Sequence, residues 1–287
     1  MTLPRPWLGY ALATTVFWGV WGALIEIPEK AGFPATLGYS IWALTMIPCA
    51  VLALRWQRTT IERDSRSIAL GLGAGLFGAG GQLILFEALR TGPAYIVFPF
   101  VSLYPALTIV LSLWLLRERA RPKAWAGILL ALPAVALLSY VAADDSLVQG
   151  YTWLVLAVAV FALWGAQAYI LKLANATMSA EGIFAYMAAS AVLLVPVALW
   201  MTDFSRPITW GFKGPYLAAL IHVLNAVGAL MLVYALRWGK AIIVVPMTAL
   251  APVLTIVLSL MIYGRVPLPA QVVGLVLATL AIFLMSE

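Results

Sequence analysis

Charge is what this chain has little of. Asp, Glu, Lys and Arg make up 10% of its 287 residues, where a soluble domain carries about 25%. Cysteine and histidine are scarcer still, at one residue each, Cys49 and His222. A lone cysteine excludes an internal disulfide and any multi-cysteine metal site. A lone histidine excludes HExxH and histidine-built metal centres. The four aspartates, Asp64, Asp144, Asp145 and Asp203, all fall in polar connections, so paired intramembrane aspartates of the protease kind are absent. There is no Walker A sequence, which removes direct ATP hydrolysis, and no GxSxG elbow. Serines are plentiful, so a serine–histidine pair is the one enzymatic arrangement left open. The chain is expected not to be an enzyme and to hold neither cofactor nor metal. No twin-arginine or lipidation motif occurs at Met1–Pro6.

What fills the chain instead is apolar: 64% hydrophobic residues and a mean hydropathy of +1.02. A soluble core cannot hide that much apolar surface. A bilayer crossing takes about 20 apolar residues, and cutting the sequence at its Pro, Gly and charge clusters gives ten such stretches. They lie near 7–27, 35–54, 68–89, 94–116, 122–142, 151–172, 180–201, 214–236, 241–262 and 268–286. The first is too long for a signal-peptide core. The expected fold is an all-α membrane protein of ten transmembrane helices joined by short loops.

The net charge of +6 fits membrane-loop bias rather than nucleic-acid binding. With the N-terminus inside, cytoplasmic segments hold Arg5, Arg55, Arg58, Arg63, Arg66, Arg117, Arg119, Arg121, Lys123, Lys172, Arg237 and Lys240. Twelve of the 17 cationic residues then lie on one side, which places both termini in the cytoplasm.

An internal repeat organises the chain. Ala88–Leu113, ALRTGPAYIVFPFVSLYPALTIVLSL, matches Ala235–Leu260, ALRWGKAIIVVPMTALAPVLTIVLSL, at 17 of 26 positions. Apolar composition does not readily align Arg90 with Arg237, Gly92 with Gly239, Pro99 with Pro246, Pro105 with Pro252 and Thr108 with Thr255. Trp7 and Trp18–Gly19 align with Trp153 and Trp164–Gly165. The units are 1–142 and 151–287, each with five spans. An odd number makes the second unit enter the membrane from the opposite face, the inverted arrangement that underlies alternating access around a midplane site. The paired prolines either bend packing helices or belong to the moving core.

On these residues the chain resembles the drug/metabolite transporter superfamily, in its form with two tandem EamA-type five-helix units. The carriers are FWG at Phe17–Gly19, LWG at Leu163–Gly165, the two ALRxGxAxxVxPxxxLxPxLTIVLSL blocks and Glu118 after the fourth span. The second unit departs by placing Arg265 where the first has Glu118. The resemblance implies a ten-helix carrier with a central cavity lined by spans 1, 3, 4, 6, 8 and 9. It names no substrate. With the compact loops, it implies the inner membrane of a bacterium.

Ionisable groups inside spans are costly and mark functional candidates. Span 1 places Thr15, Trp18, Gly22, Glu26 and Glu29 on one stripe, and span 6 repeats it with Trp164. A carboxylate above an aromatic face suits an amine, although Glu26 and Glu29 equally fit a helix ending at the interface. Span 3 carries Gly71, Gly75, Gly78, Gln82 and Phe86, answered on span 8 by His222 and Asn225; such small and polar positions fit a shared cavity or close packing. Tyr104 stands beside the span 4 repeat residues. The candidate substrate-binding residues are therefore Trp18, Glu26, Gln82, Tyr104, Trp164, His222 and Asn225. Candidates for proton coupling are Glu26, Glu87 and His222, with a local Glu87–Arg90 ion pair and a satisfied core histidine as the structural readings. Most of the 12 Trp belong to the core or the interfacial belts.

The expected function is secondary transport of a small, amino-acid-like metabolite by alternating access, in the direction of export. The alternative is an amine or quaternary ammonium such as choline. The expected partners are that substrate and the lipid bilayer, not nucleic acid, for a monomer or homodimer.

Overall fold

Every long apolar stretch becomes a helix, because hydrocarbon leaves backbone N–H and C=O groups no partner but each other. The computed structural model describes residues 6–141, 150–264 and 266–286, and no strand occurs among them. The ten helices are α1 (Pro6–Lys30), α2 (Ala35–Gln57), α3 (Ser65–Thr91), α4 (Ala94–Trp114), α5 (Pro122–Leu138), α6 (Thr152–Ala174), α7 (Ala180–Trp200), α8 (Phe212–Trp238), α9 (Ala241–Tyr263) and α10 (Pro269–Ser286). Among the described residues nine are long and apolar enough to cross a membrane and α5 is shorter. The junction between the two repeat units and the far end of the expected fifth span fall at 142–149, outside the described residues.

Local chemistry sets the helix ends. The Asp64 carboxylate accepts the Ser67 N–H at 3.0 Å and starts α3 three residues earlier than hydropathy alone places it. The Ser179 hydroxyl accepts from the Gly182 N–H at 3.1 Å and starts α7. Gly264, at φ 65°, closes α9 in the left-handed conformation.

Proline breaks two helices at equivalent points. α4 divides into Ala94–Ser102 and Tyr104–Trp114, and α9 into Ala241–Thr248 and Pro252–Tyr263. Pro105 and Pro252 have no N–H to return to the carbonyl four residues earlier. Tighter turns fill the gap, with Leu103 N–H donating to Phe100 at 3.2 Å and Ala251 N–H to Thr248 at 3.2 Å.

The packing follows the repeat. α1 lies against α8 and α9, and its counterpart α6 against α3 and α4. α2 packs on α8 as α7 packs on α3, and α5 pairs with α10. Each half thus supplies the main neighbours of the other's first helix. Exposed Leu52, Val155, Leu193, Leu220 and Met261 give the outside an apolar surface, and Trp56, Trp114, Trp200, Trp210 and Trp238 stand exposed near helix ends. This is a multi-pass membrane protein, and exposed tryptophans near helix ends are what a membrane interface favours.

Candidate functional site

The repeated Trp–Gly pairs build the centre. Trp18 on α1 donates its indole N–H to the backbone carbonyl of Asn225 on α8 at 3.3 Å. Trp164 on α6 does the same to Gly78 on α3 at 3.1 Å. Asn225 and Gly78 are themselves repeat equivalents, so the two halves anchor each other by equivalent bonds. The glycines one turn further, Gly81 and Gly228, leave the indoles their space: a Cβ there would stand 2.5 Å from Trp164 and 2.6 Å from Trp18.

Between these anchors lies a cavity of about 690 Å³. On α1, α3 and α5 its lining comes from the later part of each helix, and on α2 and α8 mainly from the earlier part. The lining runs from the middle of the molecule, where α6, α7 and α9 add Gln167, Leu171, Met187 and Val245, to Pro28, Glu29, Phe33 and Pro34 at the α1–α2 turn, the end away from the Arg- and Lys-rich connections. The end nearest those connections is closed by polar contacts. Glu118 accepts from Ile242 N–H at 3.0 Å, Lys172 donates to the carbonyl of Leu236 at 2.8 Å, and Arg237 donates to that of Met178 at 3.1 Å. Glu62 accepts from Ser179 N–H at 2.7 Å. Glu181 is buried there and accepts from the Tyr234 hydroxyl.

Six sequence candidates share the cavity: Trp18, Gln82, Tyr104, Trp164, His222 and Asn225 all line it. Tyr104 meets Trp164 edge to face, with ring centroids 5.8 Å apart. His222 Nδ1 accepts from the Trp21 indole at 3.1 Å, while its Nε2 is buried with no hydrogen-bond partner. The buried Trp42 indole N–H is likewise unpartnered.

Two candidates sit elsewhere. Glu26 is not in the lining; its carboxylate pairs with Lys30 at 2.6 Å, four residues along the same helix. The α1 stripe of Trp18, Gly22, Ile25 and Glu29 carries Glu29 to the cavity instead, and on an ideal helix Glu26 is turned about 60° beyond it. Glu87 also lies outside, bound to Arg90 by two bonds of 2.5 and 2.8 Å. The periodicity places Glu29 on this stripe, but the candidate residues include Glu26 and not Glu29, and the interfacial reading applies to both alike.

Nine aromatic rings line the cavity: Trp18, Trp21, Phe33, Tyr39, Trp42, Phe86, Phe98, Tyr104 and Trp164. Glu29 is the one carboxylate among the described lining residues, and no Lys or Arg is found there. Among the described residues no group of three or more His, Cys, Asp or Glu side chains gathers to hold a metal ion.

The EamA-like transporter family model matches the chain twice, at residues 5–140 and 151–287. An uncharacterized protein of Methanocaldococcus jannaschii is 39% identical over 69 residues, which are 24% of this chain and 50% of that protein. The chain thus spans about half the length of that curated relative. A protein crystal structure shares the fold with a TM-score of 0.80 at 18% identity, covering 97% of this chain and 98% of that one.

Proposed function

The chain belongs to the EamA-like transporter family, and from that premise we propose that it carries a small organic amine through the central cavity by alternating access. The observation that carries the substrate class is the lining: nine aromatic faces, the Glu29 carboxylate and no cationic side chain among the described residues. Aromatic faces attract a cation through the ring quadrupole, and a carboxylate at the mouth supplies the counter-charge. This reverses the order the sequence suggests. A simple amino acid brings a carboxylate that finds no Lys or Arg in this lining, whereas an amine finds both of its partners.

The two five-helix units, taken as inverted across the membrane, supply the two related packings that alternating access needs. With the Arg- and Lys-rich connections in the cytoplasm of a bacterial cell, the cavity opens outward. Export then proceeds by loading from the side that is closed here. The proton-coupling role assigned to Glu26 and Glu87 loses support from their ion pairs.

Thermal stability of the purified protein against quaternary amines, primary amines, amino acids, sugars and nucleosides tests the substrate class. A ligand at a hundred times its Kd stabilises the folded state by about 2.7 kcal/mol. Amines are expected to raise the melting temperature, and Glu29→Gln to remove most of that rise. Stabilisation by amino acids, indifferent to Glu29→Gln, would overturn the amine reading and restore the amino-acid one.

A further inference from the structure

The chain's single histidine is held in one tautomer. Indole Nε1–H is a donor and never an acceptor, so the Trp21 bond of 3.1 Å requires His222 Nδ1 to be the bare, accepting nitrogen. The neutral ring then carries its proton on Nε2. An imidazolium would turn a second N–H toward the indole N–H, and the bond would be lost. Trp21 also tilts against the ring, with centroids 6.1 Å apart, so one indole fixes both the tautomer and the orientation.

The protonated nitrogen has nothing to bond. His222 is 5% exposed, its Nε2 makes no hydrogen bond, and both His222 and Gly38 line the cavity. Gly38 is the neighbour on that side, and a Cβ built there would lie 3.5 Å from Nε2. The charged side chains of the surrounding helices are turned elsewhere. Lys172 on α6 reaches the carbonyls of Leu236 and Gly239, Glu181 on α7 takes the Tyr234 hydroxyl, and Glu26 on α1 pairs with Lys30. Glu29, on α1, shares the cavity lining. A buried donor left unmade costs more than a made bond contributes, which favours a ligand that supplies the acceptor.

We propose that His222, locked by Trp21 as the neutral Nε2–H tautomer, is a specificity residue that donates a hydrogen bond to the transported molecule. The substrate is then an amine that also bears a hydrogen-bond acceptor such as an ether, hydroxyl or carbonyl oxygen. His222 is a fixed donor in this scheme and carries no proton across the membrane; Trp21 is its positioning residue. The substrate half of this assignment rests on the amine reading above, and the tautomer half does not.

Two measurements separate those halves. Because His222 is the sole histidine, ¹⁵N-histidine NMR of the full-length protein, purified without a histidine tag, reads one ring. The expected spectrum shows a protonated Nε2 and a bare Nδ1 at neutral pH. In Trp21→Phe the ring is expected to exchange between the two tautomers. A wild-type ring that carries its proton on Nδ1, or that exchanges between the two tautomers, overturns the proposal whatever the protein binds.

The second measurement compares (2-methoxyethyl)trimethylammonium with n-butyltrimethylammonium, permanent cations that differ by an ether oxygen in place of a methylene. The Kd ratio favouring the ether is expected to fall about fivefold in His222→Phe, and to weaken in Trp21→Phe while the folded protein still binds the butyl cation. A ratio unchanged in both variants overturns the donor role. If neither cation binds wild-type protein, the same comparison is made with the primary amines 2-methoxyethylamine and n-butylamine; binding by none of the four overturns the amine reading and the donor role with it, and the NMR result alone decides the locked tautomer.

Discussion

Thr108 donates its hydroxyl to the backbone carbonyl of Gly165 at 2.8 Å, tying α4 to α6. Its repeat equivalent Thr255 makes the same bond to Gly19 at 2.9 Å, tying α9 to α1. The glycines permit it, since a Cβ at Gly165 would stand 2.6 Å from Leu107 and one at Gly19 would stand 2.6 Å from Leu254. Leu107 and Leu254 are again repeat equivalents. Threonine and glycine recur together because the backbone of one helix must come close enough for a hydroxyl of the next to reach its carbonyl.

That closeness is testable by adding one methyl group. Gly165→Ala and Gly19→Ala are each expected to destabilise the protein by about 1–3 kcal/mol through overpacking. Gly19 should suffer at least as much, because the carbonyl of Ala251 also lies 2.9 Å from the added carbon and cannot rotate away. Gly9→Ala, on the same helix with nothing within 4 Å, should leave the melting temperature unchanged or raise it slightly through helix propensity. Thermal unfolding in detergent of the three variants checks the order. Equal losses at all three positions would remove the close-approach argument.

Glu87 tests whether an in-span carboxylate must be functional. Its side chain is 35% exposed and that of its partner Arg90 72%, so solvent screens the pair and it adds little to stability. Glu87→Gln is expected to shift the melting temperature little and to leave pH-driven transport as in the wild type. Loss of the pH dependence with folding intact would make Glu87 a coupling residue after all.

The helices were legible because bilayer thickness and the need to satisfy the backbone write a length rule into the sequence. The ends of α3 and α7 needed more than hydropathy, since a cap such as Asp64 is polar and lies outside the apolar run. Trp18, Gln82, Tyr104, Trp164, His222 and Asn225 could be grouped because helical periodicity and the repeat put them on equivalent faces. Glu26 was misplaced by the same periodicity: spacing of four residues drifts by about 40° per turn, and two such steps from Trp18 carry it off the lining. The bond between Trp21 and His222 spans 201 residues, so no local pattern announces it, and a tryptophan near a helix end reads equally as belt or wall.

The N-cap of α3 gives a pH prediction outside the membrane span. Hydrogen bonds from Ser67 hold the Asp64 carboxyl below its ordinary value of 3.8. A lowered folded value means that stability is present above the unfolded value and is lost as pH falls through the folded one. Asp64→Asn keeps a capping oxygen and removes the titration. Its melting temperature should therefore fall less steeply than that of the wild type as pH drops below about 4. Parallel curves for the two proteins would show that Asp64 does not contribute to the acid limb.

Glu118 and Lys172 make the closed end open to the same kind of test. Their charges are 4.0 Å apart, beyond hydrogen-bond reach, so the direct attraction is the smaller part of what they do. Lys172 places its ammonium on the carbonyls of Leu236 and Gly239 at the end of α8, and Glu118 places its carboxylate on the Ile242 N–H at the start of α9. A cation at a helix C-terminus and an anion at an N-terminus both oppose the local partial charge, so the two side chains hold the α8–α9 connection from either side. Glu118→Gln keeps an oxygen for Ile242 and should loosen this end modestly. Glu118→Ala leaves the N–H unmet and should loosen it more. Leu171→Cys in a Cys49→Ser background reports the result, because Leu171 is a fully buried residue of the cavity wall and Cys49 is the only native thiol. Maleimide labelling from the Arg-rich side should rise about tenfold in Glu118→Ala, the equivalent of about 1.4 kcal/mol, and by less in Glu118→Gln. Equal labelling in all three backgrounds would mean that apolar packing alone keeps this end shut.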